Sequence, residues 1–349
     1  MTTNSSRVSR AARRPLAAIL IGGPTAVGKS AVAVALAERI DGEIVSVDSM
    51  QVYRGLDLGT AKPSPSDRRR VPHHLIDVVE VNEPFDAAQF VRLARSAVAQ
   101  IRQRGRVPIL CGGTGLYFKA FLGGLGETPA ADAALRAKLE ATSLAELLHE
   151  LEQKDPDTFA RIDRKNPRRV IRALEVIRLT GKPFSQLRAV WNSLEGTRST
   201  TFENFRDNVE VVPPRFFGLA RSSEDLRARI DARVEAMFAR GLVEEAKRLL
   251  KQGLEENKTA MQAIGYRQVV EHLRGGRSLD ETIELVKVRT RQFAKRQMTW
   301  FRRQFDLDWV HLKPDVDAEQ TAAELFESRG TAQKLAGPES KGGPWLNRN

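Results

Sequence analysis

Leu16-Ala-Ala-Ile-Leu-Ile-Gly-Gly-Pro-Thr-Ala-Val-Gly-Lys-Ser30, continuing as Ala-Val-Ala-Val-Ala-Leu-Ala-Glu-Arg-Ile40, changes its hydrophobic period in mid-stretch. Residues 16–21 are continuously apolar, as a strand covered on both faces is, whereas Val32, Leu36 and Ile40 recur at helical spacing. The stretch predicts strand, glycine turn, helix. Further buried strands are expected at 43–47 and 107–111, and residues 86–105 between them carry a helical pattern that stops at Gly105. Strands alternating with helices imply right-handed crossovers and a parallel sheet, so the fold class is α/β, a P-loop NTPase-like sheet flanked by helices.

The turn itself, Gly23-Pro24-Thr25-Ala26-Val27-Gly28-Lys29-Ser30, fills all eight positions of a phosphate loop. Placed between a strand and a helix, it aims backbone N–H groups and a positive helix end at an anion. Gly23 and Gly28 permit conformations that a Cβ obstructs. Lys29 adds a mobile charge, and the Ser30 hydroxyl is the expected magnesium ligand. A plain glycine turn is the bland alternative. The loop does not say which phosphate it holds, the end of a nucleoside triphosphate or a diphosphate leaving group.

Working outward, the texture changes near Gly123. From Pro129 to Gly181 no strand pattern is visible, and Leu135, Leu139, Leu144, Leu147, Leu148 and Leu151 lie near helical intervals. The expected organisation is a discontinuous core over 16–124 and 205–312, an all-helical insertion over 125–204, and flexible tails at 1–15 and 313–349. Segments at 209–212 and 216–219 are expected to return the chain to the sheet. A helix capped by Ser222 should bury Leu226, Ile230, Val234 and Met237, and a long helix should span 279–305.

The 349 residues carry a net charge of +12, which favours a polyanionic partner. The single cysteine, Cys111, excludes an internal disulfide and a cysteine-cluster metal site. The six-residue apolar run is too short for a signal peptide or a spanning helix, so a cytoplasmic protein with no membrane partner is expected.

Beyond the loop, Asp48-Ser49-Met50-Gln51-Val52-Tyr53, Gly59-Thr60-Ala61-Lys62-Pro63, Pro72-His73-His74-Leu75-Ile76-Asp77 and Gly112-Gly113-Thr114-Gly115-Leu116-Tyr117 follow in order. With residues 168–175, Gly181-Lys182-Pro183, Ala263-Ile264-Gly265-Tyr266 and residues 290–302, they closely resemble the tRNA dimethylallyltransferase (tRNA isopentenyltransferase) family across about residues 16–310. The resemblance implies transfer of a dimethylallyl group from dimethylallyl diphosphate to N6 of the adenosine just 3′ of a tRNA anticodon. Mg2+ assists the departing diphosphate, and no ATP is consumed.

From the residues alone, Asp48 at the end of a parallel strand serves either as a proton acceptor for a weakly nucleophilic amine or as a more distant magnesium partner. The resemblance implies the base. Thr114 reads alone as a helix cap or as a hydroxyl near the diphosphate, and the resemblance implies a catalytic role. The family's diphosphate arginine falls on Ser223 here, so Arg221 or Arg229 is expected to complete the clamp. The resemblance further implies tRNA contacts at Asp48, Ser49, Met50, Gln51, Thr114, Arg136, Arg168, Arg169, Val170, Ile171 and Arg172. Arg168 and Arg172, four apart, are expected to share an exposed helix face opposite Val170, Leu174 and Ile177.

The adjacent His73 and His74 lack metal-ligand spacing, and one cysteine leaves no ligands for the zinc finger that some family members carry. A monomer is expected. Three rivals remain: prenyl transfer to a free adenine nucleotide, which needs no basic insertion; a kinase, which the Asp48 block disfavours; and a noncatalytic RNA-binding module, which leaves Asp48 and Thr114 without a task.

Overall fold

A computed structural model describes residues 17–126, 128–187 and 215–335 of the chain. It divides into two compact units, Met1–Phe118 with Asn208–Asn349, and Lys119–Asp207. In the first, strands β1 (Ile19–Gly22), β2 (Gly42–Val47), β3 (His73–His74), β4 (Val107–Gly112), β5 (Arg215–Ala220) and β6 (Asp308–His311) form one sheet in the order β3-β2-β4-β1-β5-β6. Every pairing is parallel. β1, β2 and β4 are buried along their whole length, so none shows the alternation of a half-exposed strand, although β2 carries Glu43 and Ser46 among its apolar residues.

Helix α1 (Lys29–Ile40) follows the glycine turn and buries Val32 and Leu36 with Ile21, Ile109, Phe217 and Leu219. α2 (Pro65–Arg70) precedes β3, and α3 (Ala87–Gln103) ends just before Gly105, whose φ of 74° makes the expected stop. Aromatic rings from α4 (Gly115–Gly123), β5 and the residue that ends a later helix pack together: Phe216 lies 4.7 Å from Phe118 and 4.9 Å from Phe305.

The second unit is helical. α5 (Ala133–Ala141), α6 (Leu144–Lys154), α7 (Pro156–Arg161), α8 (Pro167–Thr180) and α9 (Phe184–Leu187) enclose Leu139, Leu147, Leu151, Val170, Leu174 and Ile177. The chain returns to the first unit through β5. α10 (Ser223–Ala239) starts at Ser222, whose hydroxyl accepts from the Asp225 N–H, and buries Ile230, Val234 and Met237. α11 (Leu242–Lys251), α12 (Tyr266–Leu273) and α13 (Leu279–Gln304) follow.

Two differences from the sequence expectations stand out. β6 adds an edge strand after α13, and residues 318–335, expected in a flexible tail, form α14 (Ala318–Leu335), which packs on α1. Thr321, Ala322 and Leu325 are buried there, the last two in one cluster with α1's Ala33, Ala35 and Ala37, so a single large apolar residue stands where most core helices carry a stripe. The expected strand at 209–212, the tail at 1–15 and the last residues, 336–349, lie outside the described residues. Among the described residues no helix is long and apolar enough to cross a membrane.

Candidate active site

Register brings the site together. Gly22 of β1 pairs with Gly112 of β4, and Gly112 pairs with Val47 of β2. The three residues form one row across the carboxyl edge of the sheet, so the next residues, Gly23, Asp48 and Gly113, emerge side by side from neighbouring strands about 5 Å apart. Gly112 must be glycine, because a Cβ there would stand 2.0 Å from the Val47 carbonyl oxygen.

The phosphate loop has the expected form. Gly23 adopts φ 143° against the Leu219 carbonyl, and Gly28, at φ 110°, opens α1. Thr25, Ala26, Gly28, Lys29 and Ser30 line a cavity of about 1730 Å3, whereas Gly23, Pro24 and the fully buried Val27 lie behind the loop and shape it. The Lys29 ammonium donates to the Pro24 carbonyl at 2.7 Å. Burial lowers it to about 8, Arg233 pushes the same way, and Cys111 and Asp48 oppose. Ser30 is exposed at the head of α1.

Across the row, Asp48 Oδ1 accepts from the N–H groups of Met50 (2.8 Å) and Gln51 (3.3 Å), which fixes the carboxylate by its own turn. Among the described residues no protein donor reaches Oδ2. Thr114 Oγ1 accepts from the Ser49 N–H at 3.1 Å, so this hydroxyl steadies the turn that carries Asp48. The Gln51 amide accepts from Ser46 and donates to the carbonyls of Thr60 and Ala61, so it props a neighbouring loop while lining the cavity.

The cationic clamp differs from the expectation. Arg221, with only 4% of its side chain exposed, donates to the carbonyls of Val27 and Lys313 and pairs with Asp225 at 2.7 Å. It does not line the cavity; it holds the phosphate loop from behind. Arg229 does line it, donating to the Ala26 carbonyl at 3.1 Å, and so does Arg233, whose Nη1 reaches Thr25 Oγ1 at 3.2 Å. Arg233 was not among the residues singled out from sequence. The signal was present: Arg229 and Arg233 are four apart and each precedes a residue of the buried stripe, Ile230 and Val234, so both lie along one edge of it.

The Gly59–Pro63 block forms another wall. Buried Glu245 accepts from the N–H groups of Asp57 (3.1 Å) and Leu58 (2.9 Å) and from the Tyr266 hydroxyl (2.6 Å), which in turn accepts from the Gly59 N–H. Lys62 donates to the Tyr53 carbonyl and to Asp57. None of the three tyrosines lines the cavity: Tyr266 tethers this loop and Tyr117 stacks on Phe90 at 4.3 Å, while Tyr53 is buried. His74 bonds Glu43 at 2.6 Å, a structural task. Among the described residues no group of three His, Cys, Asp or Glu side chains is placed to hold a metal.

The other expected RNA residues sit in the helical unit. Arg168 and Arg169 are exposed near the start of α8. Arg172 departs from the expected open face: it pairs with the fully buried Glu175 at 2.6 Å and donates to the Pro129 carbonyl. Arg136 also pairs with Glu175, at 2.7 Å. The side chains of Val170 and Ile171 are buried among the unit's leucines, so they hold α8 rather than meet a partner. On α13, Lys287 pairs with Glu235 and Glu284, and Arg291 with Asp231.

Comparison with known proteins adds an independent line. The model of the IPP transferase family matches residues 51–304, a span that begins after the phosphate loop. The chain is 44% identical over 312 residues to tRNA dimethylallyltransferase 1 of Trichlorobacter lovleyi, covering 88% of this chain and 98% of that one. It is 47% identical over 293 residues to tRNA dimethylallyltransferase of Halorhodospira halophila, covering 82% and 90%. Among solved structures it is similar to the full-length tRNA isopentenylpyrophosphate transferase of Bacillus halodurans, with 37% identity, a TM-score of 0.65, and 91% and 97% of the two chains covered. A eukaryotic dimethylallyltransferase acting on tRNA shares 28% identity with a TM-score of 0.70, covering 90% of this chain and 80% of that one.

Proposed function

The chain belongs to the IPP transferase family, and from that premise we propose that it transfers the dimethylallyl group of dimethylallyl diphosphate to N6 of the adenosine immediately 3′ of a tRNA anticodon, releasing diphosphate. The row of Gly22, Gly112 and Val47 carries this reading. It sets an anion-holding loop at the end of β1 and an uncommitted carboxylate oxygen at the end of β2, with β4 between them, around one cavity.

The diphosphate occupies the loop between Thr25 and Ser30, facing the head of α1, with Lys29, Arg229 and Arg233 meeting its charge. The bond from the prenyl C1 to the diphosphate oxygen breaks as N6 bonds to C1. The N6 proton passes to Asp48 Oδ2, and the electron pair of the broken bond leaves with the diphosphate. An adenine amine is a poor nucleophile, so removal of its proton as the new bond forms lowers the barrier. Thr114 keeps Asp48's turn in place. The adenosine must leave its stack to reach this depth, at a cost of a few kcal/mol that backbone contacts elsewhere offset. Arg168 and Arg169 are suited to those contacts.

Mg2+ fits the donor set: the exposed Ser30 hydroxyl at the head of α1 would hold it beside the diphosphate. When bound it neutralises charge on the departing diphosphate. A tRNA substrate is consistent with a cytoplasmic location.

The test is incubation of the purified protein with unmodified tRNA, dimethylallyl diphosphate and Mg2+, followed by mass analysis of the nucleosides. Prenylated adenosine is expected from tRNA and not from AMP, and Asp48→Asn is expected to bind diphosphate yet transfer roughly 10²- to 10⁴-fold more slowly. Efficient prenylation of AMP with none of tRNA replaces this reading with the free-nucleotide one.

A further inference from the structure

Gln297 lies on α13 with 9% of its surface exposed, and its amide is shared between the two sides of the cavity. Oε1 accepts from the Thr25 N–H at 2.9 Å, and Nε2 donates to the Gly113 carbonyl at 2.9 Å. The first partner only donates and the second only accepts, so the amide has a single satisfactory orientation. Gly113 leaves room for it: a Cβ there would stand 2.4 Å from Nε2.

Each contact continues into the reaction centre. On one side, Thr25 Oγ1 also accepts from Arg233, so the start of the phosphate loop is held from α10 and α13 together. On the other, Gly113 precedes Thr114, whose hydroxyl takes the Ser49 N–H beside Asp48. Among the described residues, Gln297 is the side chain hydrogen-bonded to both loops. Prenyl transfer needs the breaking C–O bond, anchored at the phosphate loop, in line with the amine whose proton goes to Asp48, and an error of about 1 Å in such a geometry costs roughly 100-fold in rate.

We infer that Gln297 is a positioning residue that fixes the phosphate loop to the Asp48 and Thr114 side of the cavity, setting the distance between leaving group and base. The inference rests on the prenyl-transfer reading. It also explains why an amide stands there. A glutamate still accepts from Thr25 but turns an oxygen toward the Gly113 carbonyl, and a methionine leaves both backbone groups unpaired.

Three measurements on Gln297→Glu and Gln297→Met test it: steady-state prenylation of tRNA, the Kd of inorganic pyrophosphate with Mg2+, and thermal melts. For Gln297→Glu, kcat is expected to fall roughly 10- to 100-fold while the KM for dimethylallyl diphosphate and the pyrophosphate Kd change less than about threefold. Gln297→Met is expected to impair both. In a Thr114→Ala background Gln297→Glu should cost little more, because both changes act on the same turn. A folded Gln297→Glu protein with unaltered kcat overturns the inference. So does an effect that simply multiplies that of Thr114→Ala, as does loss of folding in both variants, which marks a purely structural bond. A wild-type protein that prenylates nothing defeats the functional reading instead.

Discussion

Lys29 carries a positive charge in a place that penalises charge. Burial brings its ammonium down to about 8, so the empty enzyme loses that charge as pH rises past this value, whereas a bound diphosphate restores it. The KM for dimethylallyl diphosphate should therefore rise above about pH 8, and binding between about pH 8 and 9 should take up a proton. Calorimetry in two buffers of different ionisation enthalpy reads that proton; equal heats in both would refute it. The arginines divide by the same test of what they touch. Arg233→Ala removes a cation from the cavity and should raise that KM about tenfold or more with little change in Tm. Arg221→Ala takes a buried partner from the half-buried Asp225 and frees the back of the loop, so it should cost about 1 to 3 kcal/mol of stability with a smaller effect on KM. Denaturant unfolding beside steady-state kinetics separates them, and the reverse pattern would reassign the clamp to Arg221. Sequence made the loop, Asp48 and Thr114 legible because their geometry is local, each lying within a few residues of a strand end. The choice among Arg221, Arg229 and Arg233 depends on how α10 is rotated against the loop, which no spacing within the loop encodes.

Elements carry a second set of constraints, at the amino end of the sheet rather than its catalytic edge. Glu43, near the start of β2, is buried and bonded to Arg104 Nη2 at 2.7 Å, His74 Nε2 at 2.6 Å and Arg106 Nη1 at 3.3 Å. Burial opposes its ionisation, but the hydrogen bonds from Arg104 and His74 outweigh that and hold the carboxyl near 2. A folded-state value below the unfolded one contributes stability that is complete above about pH 4.5 and is lost as pH falls toward 2. Glu43→Gln should accordingly cost about 2 to 3 kcal/mol at pH 7, and the two proteins should converge in stability between about pH 4.5 and 2. Urea melts across that range check it; a constant difference down to pH 2 would place the cost in packing instead. The same network shows why β3 escaped the sequence reading: two residues of backbone pairing, His73 with Ile44 and His74 with Val45, leave no apolar run. β6 has exposed ends at an edge, and α14 buries Thr321 and Ala322 beside Leu325, too few large apolar residues to mark a core helix. β1 and β4 were legible because parallel strands covered on both faces need near-continuous apolar sequence, and β2 and β5 because their apolar residues, Ile44, Val45 and Val47 in one and Phe216, Phe217 and Leu219 in the other, still cluster.

At the scale of the whole molecule the net charge of +12 is less informative than how the cations are used. Many are spent internally: Arg104 and Arg106 on Glu43, Arg136 and Arg172 on Glu175, Lys287 and Arg291 on α10 and α13 carboxylates. Reading every basic residue on a helix as a phosphate contact therefore overcounts. On α8 the four-residue spacing of Arg168 and Arg172 suggested one exposed row, but the structure ties Arg172 inward to Glu175, which is fully buried and held below the usual carboxylate range: burial opposes that, and the hydrogen bonds from Arg172 and Arg136 outweigh it. The exposed pair is Arg168 with its neighbour Arg169. If those two meet backbone phosphates, replacing both with glutamine removes about two of the condensed cations released on binding, and the slope of log affinity against log salt should become shallower by about 1.4 to 1.8. Arg172→Gln should behave differently, destabilising the helical unit by leaving Glu175 short of a partner while moving the salt slope less. Filter-binding or fluorescence titrations of unmodified tRNA at several salt concentrations, with melts of each variant, compare the two. An unchanged slope for the Arg168 and Arg169 double variant would make that face a solvated surface and leave the energy for extracting the adenosine to be sought elsewhere on the chain.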